Sequence, residues 1–62
     1  MTLGSQIETI RIELNIPIYI MCNILNINSE LEYHNICNGT TELTTWQKCM
    51  FIIETQHPLD LN

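Results

Sequence analysis

The sequence predicts a small α+β domain, an antiparallel sheet of about four strands with one short helix packed on it. Apolar residues alternate with polar residues over 10–24 and again over 30–37, and apolar residues recur at helical spacing after Asn38-Gly39. Successive side chains of a strand point to opposite faces, so each alternation predicts one apolar face. The chain also has eleven Ile and neither Ala nor Val, a composition that favours strands over helices.

The first alternation is too long for one strand. Fifteen residues at ~3.3 Å each would span ~50 Å, several times the usual strand length. Pro17 lacks a backbone N–H and is tolerated at strand starts, edges and bulges, so a break is expected there. This predicts strands at 6–14 and 18–25. One bent strand, whose N-terminal half pairs with another subunit, is the alternative.

The second half of the chain predicts a turn, a strand, a helix and a last strand. Asn26, Asn28 and Ser29 favour a turn, so 30–37 is expected to pair with 18–25 as a hairpin. Asn38-Gly39 favours a second turn. Residues 50–55 read as the last strand, bounded by His57-Pro58.

The segment 41–49 is open to two interpretations. As a helix it forms one apolar stripe, which continues to residue 53, with Thr40 or Thr41 as N-cap. As a hairpin strand it would suit the β-branched Thr residues. We favour the helix, because it also covers one face of the sheet. The stripe comprises Leu43, Trp46, Cys49, Met50 and Ile53.

Length and cysteine content predict one domain, residues 1–62, with loose ends at 1–5 and 57–62. A chain of this size buries only ~60% of its unfolded surface, so its core alone is marginal. The three cysteines are an odd number without the spacing of a secreted disulfide scaffold. With neither a signal peptide nor an apolar run of membrane-spanning length, the chain is expected in the cytoplasm.

The charge excludes two classes of partner. Seven acidic residues and two basic ones give a net charge of −5. Nucleic acid and anionic membranes would repel such a chain, because binding to either needs clustered Lys and Arg. A macromolecular partner is therefore expected to be a basic protein, although an acidic balance also serves solubility alone.

Catalytic and metal chemistry find little support in the sequence. The possible zinc ligands show neither a CxxC nor an HxxxH spacing. His34 and Cys37 are three residues apart on a predicted strand, so their side chains would point to opposite faces. A Cys-His pair exists in composition only, and a chain this short has little room for a substrate pocket. We therefore expect no metal, no cofactor and no enzymatic activity. The ligands considered are Cys22, His34, Cys37, Cys49 and His57.

Aromatic and apolar residues give the candidate interfaces. Trp46 on the apolar stripe favours core packing, with an interface anchor as the alternative, whereas Tyr19 beside Met21 on the polar strand face suggests an interface. The Ile face of the first two strands exceeds what one short helix covers, which predicts a homodimer. The expected dimer interface comprises Ile16, Ile18, Tyr19 and Ile20.

One run of residues is similar to a known family. Glu30-Leu31-Glu32-Tyr33-His34, followed by the candidate helix and the strand 50–55, resembles the small dimeric uracil-DNA glycosylase inhibitors of Bacillus phages. The resemblance covers residues 18–55. It implies a strand–strand–helix–strand order and a homodimer that blocks the enzyme's DNA-binding cleft. An apolar helix residue would fill the recess for a DNA-inserted leucine, and carboxylates would replace DNA phosphates.

By position, the resemblance implies Leu43 and Trp46 as the apolar contacts and Glu30, Glu32 and Glu42 as the phosphate mimics. The expected function is thus a non-enzymatic, DNA-mimicking inhibitor of uracil-DNA glycosylase in the host cytoplasm. Two other functions stay open. One is an all-β self-assembling interaction module, and the other is an acidic inhibitor of another host DNA-binding protein such as a nuclease.

Overall fold

The structure, a computed structural model, describes residues 2–60 and contains four α-helices. They are α1 (Leu3–Glu13), α2 (Ile18–Leu25), α3 (Glu30–Cys37) and α4 (Thr45–Thr55). Residues 2–60 contain no β-strand.

The predicted α+β fold with a four-stranded sheet is therefore wrong, and so is the all-β alternative. Strands predicted at 6–14, 18–25 and 30–37 lie in α1, α2 and α3, and the strand predicted at 50–55 is the second half of α4. The strand–strand–helix–strand order implied by the resemblance is absent from the described residues, and the Glu-Tyr-His run lies on a helix.

The period-two alternation misled because it spans two helices and the break between them. Burial follows helical spacing instead: Met21, Cys22 and Leu25 are buried on one side of α2. Ile12, which belongs to the alternating series, is 58% exposed. The expected break at Pro17 is real, but the proline stands at the N-cap of α2, where its fixed φ and missing N–H are tolerated.

Local capping explains why a chain poor in helix formers is helical. The side chains of Thr2, Ser29 and Thr44 accept hydrogen bonds from backbone N–H groups in the first turns of α1, α3 and α4. Thr44 and Gln47 form a full capping box. Each cap satisfies a backbone N–H that has no partner inside the helix.

The helix predicted at 41–49 exists with a different start and a different inner face. It begins at Thr45, because Thr44 rather than Thr40 or Thr41 is the N-cap. The residue buried from α4 is Phe51. Trp46 and Ile53, members of the predicted stripe, face outward with exposed fractions of 52% and 65%.

The core lies where the helices cross. Helix α1 packs on α3, and α2 packs on both α3 and α4. At the first of these crossings Gly4 is buried against the backbone of Ile36, with no room for a Cβ. The buried apolar residues are Ile7, Met21, Cys22, Leu25, Tyr33, Ile36, Leu43, Phe51 and Leu59.

Of the ends predicted to be loose, residues 1, 61 and 62 lie outside the described residues. The first turn of α1 starts at Leu3. Near the other end Leu59 is buried. The Gln6 side-chain amide donates to the Asp60 carbonyl at 3.0 Å, and the Asp60 backbone N–H donates to Gln6 Oε1 at 2.8 Å.

Candidate protein-binding surfaces

An exposed apolar surface extends across α2 and α4. We call it the α2–α4 face and define it by Tyr19, Ile20, Trp46, Met50 and Ile53. Tyr19 is 66% exposed, and Trp46 and Ile53 are more than half exposed. Trp46, Met50 and Ile53 are spaced four and three residues apart, which places them along one side of α4. The part of the predicted stripe that lies on α4 therefore faces outward at Trp46 and Ile53.

A groove of about 270 Å³ runs along this face between the two helices. Its apolar wall is formed by Ile20, Ile24, Trp46 and Met50. Polar residues complete the lining: Asn23, Asn26 and Glu54. Apolar residues bordered by polar ones are typical of protein interfaces.

Charge is scarce on the α2–α4 face. Helix α2 contains no charged residue, and α4 contains only Lys48 and Glu54. Lys48 lies at a different cleft of the molecule. The net charge of −5 is therefore concentrated elsewhere on the chain.

The residues predicted to bind a partner do not share one environment. Glu30 and Glu32 are exposed in the first turn of α3, where the helix dipole favours carboxylates. Glu42 is exposed in the segment between α3 and α4. Leu43 is buried in the core, which removes it as a surface contact, whereas Trp46 belongs to the α2–α4 face.

The residues predicted to form a dimer interface are divided in the same way. Ile16 and Ile18 are half-buried and pack against the core. Tyr19 and Ile20 are exposed on the α2–α4 face. The second pair is the more accessible to another molecule.

One exposed apolar residue escaped the sequence analysis. Leu31 is 69% exposed, more than any other large apolar side chain among residues 2–60. It stands between Glu30 and Glu32 on the first turn of α3. Helical spacing would have found it, because Tyr33 and Ile36 face the core and Leu31 then lies on the opposite side.

A second concavity, of about 350 Å³, lies where the start of α1 meets the end of α3 and the segment 38–44. Its lining mixes apolar residues with hydroxyls and one charge of each sign, Glu42 and Lys48. No buried side-chain nitrogen or oxygen in the described part of the chain lacks a hydrogen-bond partner. The cleft therefore offers no unpaired group that would call for a ligand.

A hydrogen-bonded polar cluster joins α1 to α3. The Arg11 guanidinium donates to both carboxylate oxygens of Glu8, at 2.7 and 3.0 Å, and to the Ile16 carbonyl at 2.9 Å. The Tyr33 hydroxyl, on a fully buried side chain, donates to Glu8 Oε1 at 2.7 Å. Because these groups satisfy one another, the cluster is structural.

The pKa shifts in this cluster follow from its geometry. The hydrogen bond from Arg11 holds the pKa of the Glu8 carboxyl below its ordinary value. The hydrogen bond to Glu8 raises the pKa of Arg11. Burial, with the hydrogen bonds of its hydroxyl, raises the pKa of Tyr33.

The thiols are free and two of them are sheltered. Cys22 is buried and Cys37 is half-buried, and burial raises the pKa of both thiols. A raised pKa keeps a thiol protonated and weakly nucleophilic. Within residues 2–60, no three side chains among His, Cys, Asp and Glu are grouped so that they could hold a metal ion.

The helices of residues 2–60 are too short or too polar for any one of them to span a membrane. Comparison of the chain with protein-family models, with curated proteins and with solved structures found no match.

Proposed function

We propose that this chain is a non-enzymatic acidic protein that binds a basic DNA-binding protein and blocks its DNA site. The observation that carries the proposal is Leu31, exposed between the carboxylates of Glu30 and Glu32 on the first turn of α3. An apolar contact flanked by carboxylates suits a protein site that accepts a DNA base stack beside its phosphates. The net charge of −5 favours approach to such a site.

A helical fold also suggests an alternative function, direct binding of DNA. Helices α2 and α3 are joined by the four residues 26–29, a connection of the length found in helix-turn-helix motifs. In those motifs the start of the second helix approaches bases and phosphates. Here that start carries Glu30 and Glu32, which phosphates would repel. The charge therefore favours a protein that replaces DNA over one that binds it.

Catalysis has less support than binding. Glu8, Arg11 and Tyr33, whose pKa values are shifted, are hydrogen-bonded to one another and leave no group directed at a substrate. The pKa of the Cys22 and Cys37 thiols is raised, which is opposite to the shift that activates a nucleophile. Free thiols suit the reducing cytoplasm in which we place the protein.

Uracil-DNA glycosylase is the target to test first, because the resemblance names it. The mapping of contacts changes with the fold. Leu31 takes the role first assigned to Leu43, which is buried, and Glu30 and Glu32 keep the role of phosphate mimics. A nuclease or another DNA-binding enzyme of the host would also present a basic DNA site. A nuclease is therefore tested beside the glycosylase.

The test measures uracil excision by the glycosylase, and DNA cleavage by a nuclease, while the purified chain is titrated. We expect stoichiometric inhibition of one of the two enzymes. The inhibition should weaken between ~50 and ~300 mM salt, because salt screens the attraction between the acidic chain and a basic DNA site. Leu31→Ala should weaken inhibition at least ~10-fold, the effect of losing an interface hot spot. The paired Glu30→Gln and Glu32→Gln variant should also weaken it and reduce its salt dependence.

Matched controls separate the site from general effects. Ile12 is exposed to a similar degree on α1, and Glu13 is an exposed acid at the end of the same helix. Ile12→Ala and Glu13→Gln should leave inhibition unchanged. Inhibition lost equally in the controls would remove α3 from the mechanism, and no inhibition of either enzyme would reject the proposed function.

A further inference from the structure

We propose that a second copy of this chain covers the α2–α4 face, in an isologous homodimer built from α2 and α4 of both copies. Four of the large apolar side chains exposed in residues 2–60 are Tyr19, Ile20, Trp46 and Ile53, and all belong to this face. Apolar side chains concentrated on one surface mark an interaction site, whereas scattered ones are ordinary.

Charge identifies the occupant. Two copies that each carry −5 repel one another wherever their acids face. The α2–α4 face is the surface that avoids this repulsion, because α2 is uncharged and the groove contains a single carboxylate, that of Glu54. A basic partner would gain little at a neutral surface. The neutrality therefore fits a second copy better than it fits the basic protein proposed above.

Shape supports the same occupant. In an isologous contact the same patch must provide both the projecting group and the recess. The α2–α4 face has both: Tyr19 is exposed along the α2 stripe that continues to Asn23 and Asn26, and those two asparagines line the groove. A two-fold axis across the face lets Tyr19 of each copy enter the groove of its partner. The four helices then form a small bundle.

The size of the chain gives a reason for the dimer. Domains below ~70–80 residues usually need a disulfide, a metal or an oligomer in addition to their core. All three cysteines are free, and the described residues hold no cluster of metal ligands. A second copy is one device that would stabilise a chain of this size.

The area of the face indicates a small contact. At ~1.5 Å per residue, α4 with its 11 residues is ~16 Å long, and two packed helices are ~20 Å wide. The flat footprint is thus ~320 Å² per copy, below the ~800 Å² of a standard interface. A weak dimer, with a dissociation constant between ~10 μM and ~1 mM, is expected.

Sedimentation equilibrium at concentrations from ~10 μM to ~1 mM tests the proposal directly. The average mass should rise from 7.2 kDa towards twice that value. Ile53→Glu or Tyr19→Glu should raise the dissociation constant at least ~10-fold by placing charge in the contact. Leu31→Glu, a matched change on α3, should leave it unchanged. Far-UV circular dichroism checks that each variant keeps its helices.

Salt separates this interface from the inhibitory contact. Screening removes repulsion between two acidic copies, so dimerisation should persist or strengthen in the same salt that weakens inhibition. A monomer throughout the concentration range would overturn the dimer and leave the inhibition result standing. So would a dimer that Leu31→Glu disrupts and Ile53→Glu does not.

Discussion

Replacing Gly4 by Ala should destabilise the protein, because α1 crosses α3 at this residue. A Cβ at position 4 would lie 1.9 Å from the Ile36 carbonyl oxygen, 2.8 Å from its carbonyl carbon and 2.9 Å from Cα of Cys37. All three are backbone atoms of the last turn of α3, so no side-chain rotation relieves the overlap. Helix α1 must move away from α3.

The magnitude follows from one stabilising effect and two destabilising ones. Ala favours a helix interior by ~1 kcal/mol relative to Gly, and the gain is smaller at Gly4, in the first turn of α1. Ordinary contact begins at 3.4 Å, so the helices must separate by roughly 1.5 Å, and overpacking of this kind costs ~1–3 kcal/mol. The separation also strains the hydrogen bond from the Tyr33 hydroxyl to the Glu8 carboxylate. Hydrogen bonds to charged groups contribute ~1.5–3 kcal/mol to stability. We expect a net loss of ~2 kcal/mol, a large share of the ~3–5 kcal/mol that such a small core supplies.

Urea denaturation followed by far-UV circular dichroism measures this loss. Wild type and variants are compared at one protein concentration, because dimerisation adds concentration-dependent stability. Thr9→Ala, at an exposed position of α1, is the matched control and should stay within ~0.5 kcal/mol of wild type. The packing of α1 on α3 would be refuted if Gly4→Ala were as stable as wild type. It would also be refuted if the variant were ~0.4–1 kcal/mol more stable, as Gly→Ala is in a segment without steric conflict.

Three further predictions concern the polar cluster and the thiols. Tyr33→Phe should lower the free energy of unfolding by ~1.5–3 kcal/mol in urea, because it removes the buried hydrogen bond to Glu8; an unchanged midpoint would contradict the bond. The pKa of Glu8 is held below its ordinary value near 4.5, so its stabilisation is present above that pH and is lost as the pH falls through the lower, folded-state pKa. The thermal midpoint should therefore decline below pH ~4.5 and decline less in Glu8→Gln, whereas identical profiles would exclude this role. Iodoacetamide followed by mass spectrometry should modify exposed Cys49 first and buried Cys22 last, and equal rates would contradict the burial.

The breaks between elements were predictable from the sequence. The expected breaks at Pro17, at 26–29 and at Asn38-Gly39 all fall between helices. Asn26 adopts a left-handed conformation with φ 56°, and Gly39 has φ 84°. These preferences reside in the backbone chemistry of Pro, Asn and Gly, so they hold whatever the neighbouring elements are.

The type of the elements was not predictable in the same way. The many Ile residues favour strands, but propensity is a weak prior that capping and tertiary packing override. Met21 is fully buried and Tyr19 is 66% exposed on the same helix, although alternation places these two side chains on one face. Strand pairing was assumed from the pattern, while the deciding interactions, such as the close approach of Gly4 to Ile36, are long-range.

The candidate surfaces were found in part. Tyr19 and Trp46 were named as possible interface residues, and both are exposed on the α2–α4 face. The predicted apolar stripe does not form one face, because Leu43 precedes α4 and is buried whereas Trp46 and Ile53 are exposed. Phe51, on another side of α4, is the residue that fills the core. Leu31 was missed because a strand interpretation hides which side of 30–37 points outward.

The most direct test is a pair of nitrogen-15 NMR spectra of the backbone-assigned chain, recorded at ~20 μM and ~1 mM. We expect the Cα shifts from the backbone assignment to be helical over α1 to α4. The concentration-dependent changes in the nitrogen-15 spectra should be confined to α2 and α4 and centred on Tyr19, Trp46 and Ile53. Changes centred on α1 and α3, or none at all, would contradict the claim that copies of the chain meet at the α2–α4 face. Strand-type shifts in any of the four segments would contradict the fold itself.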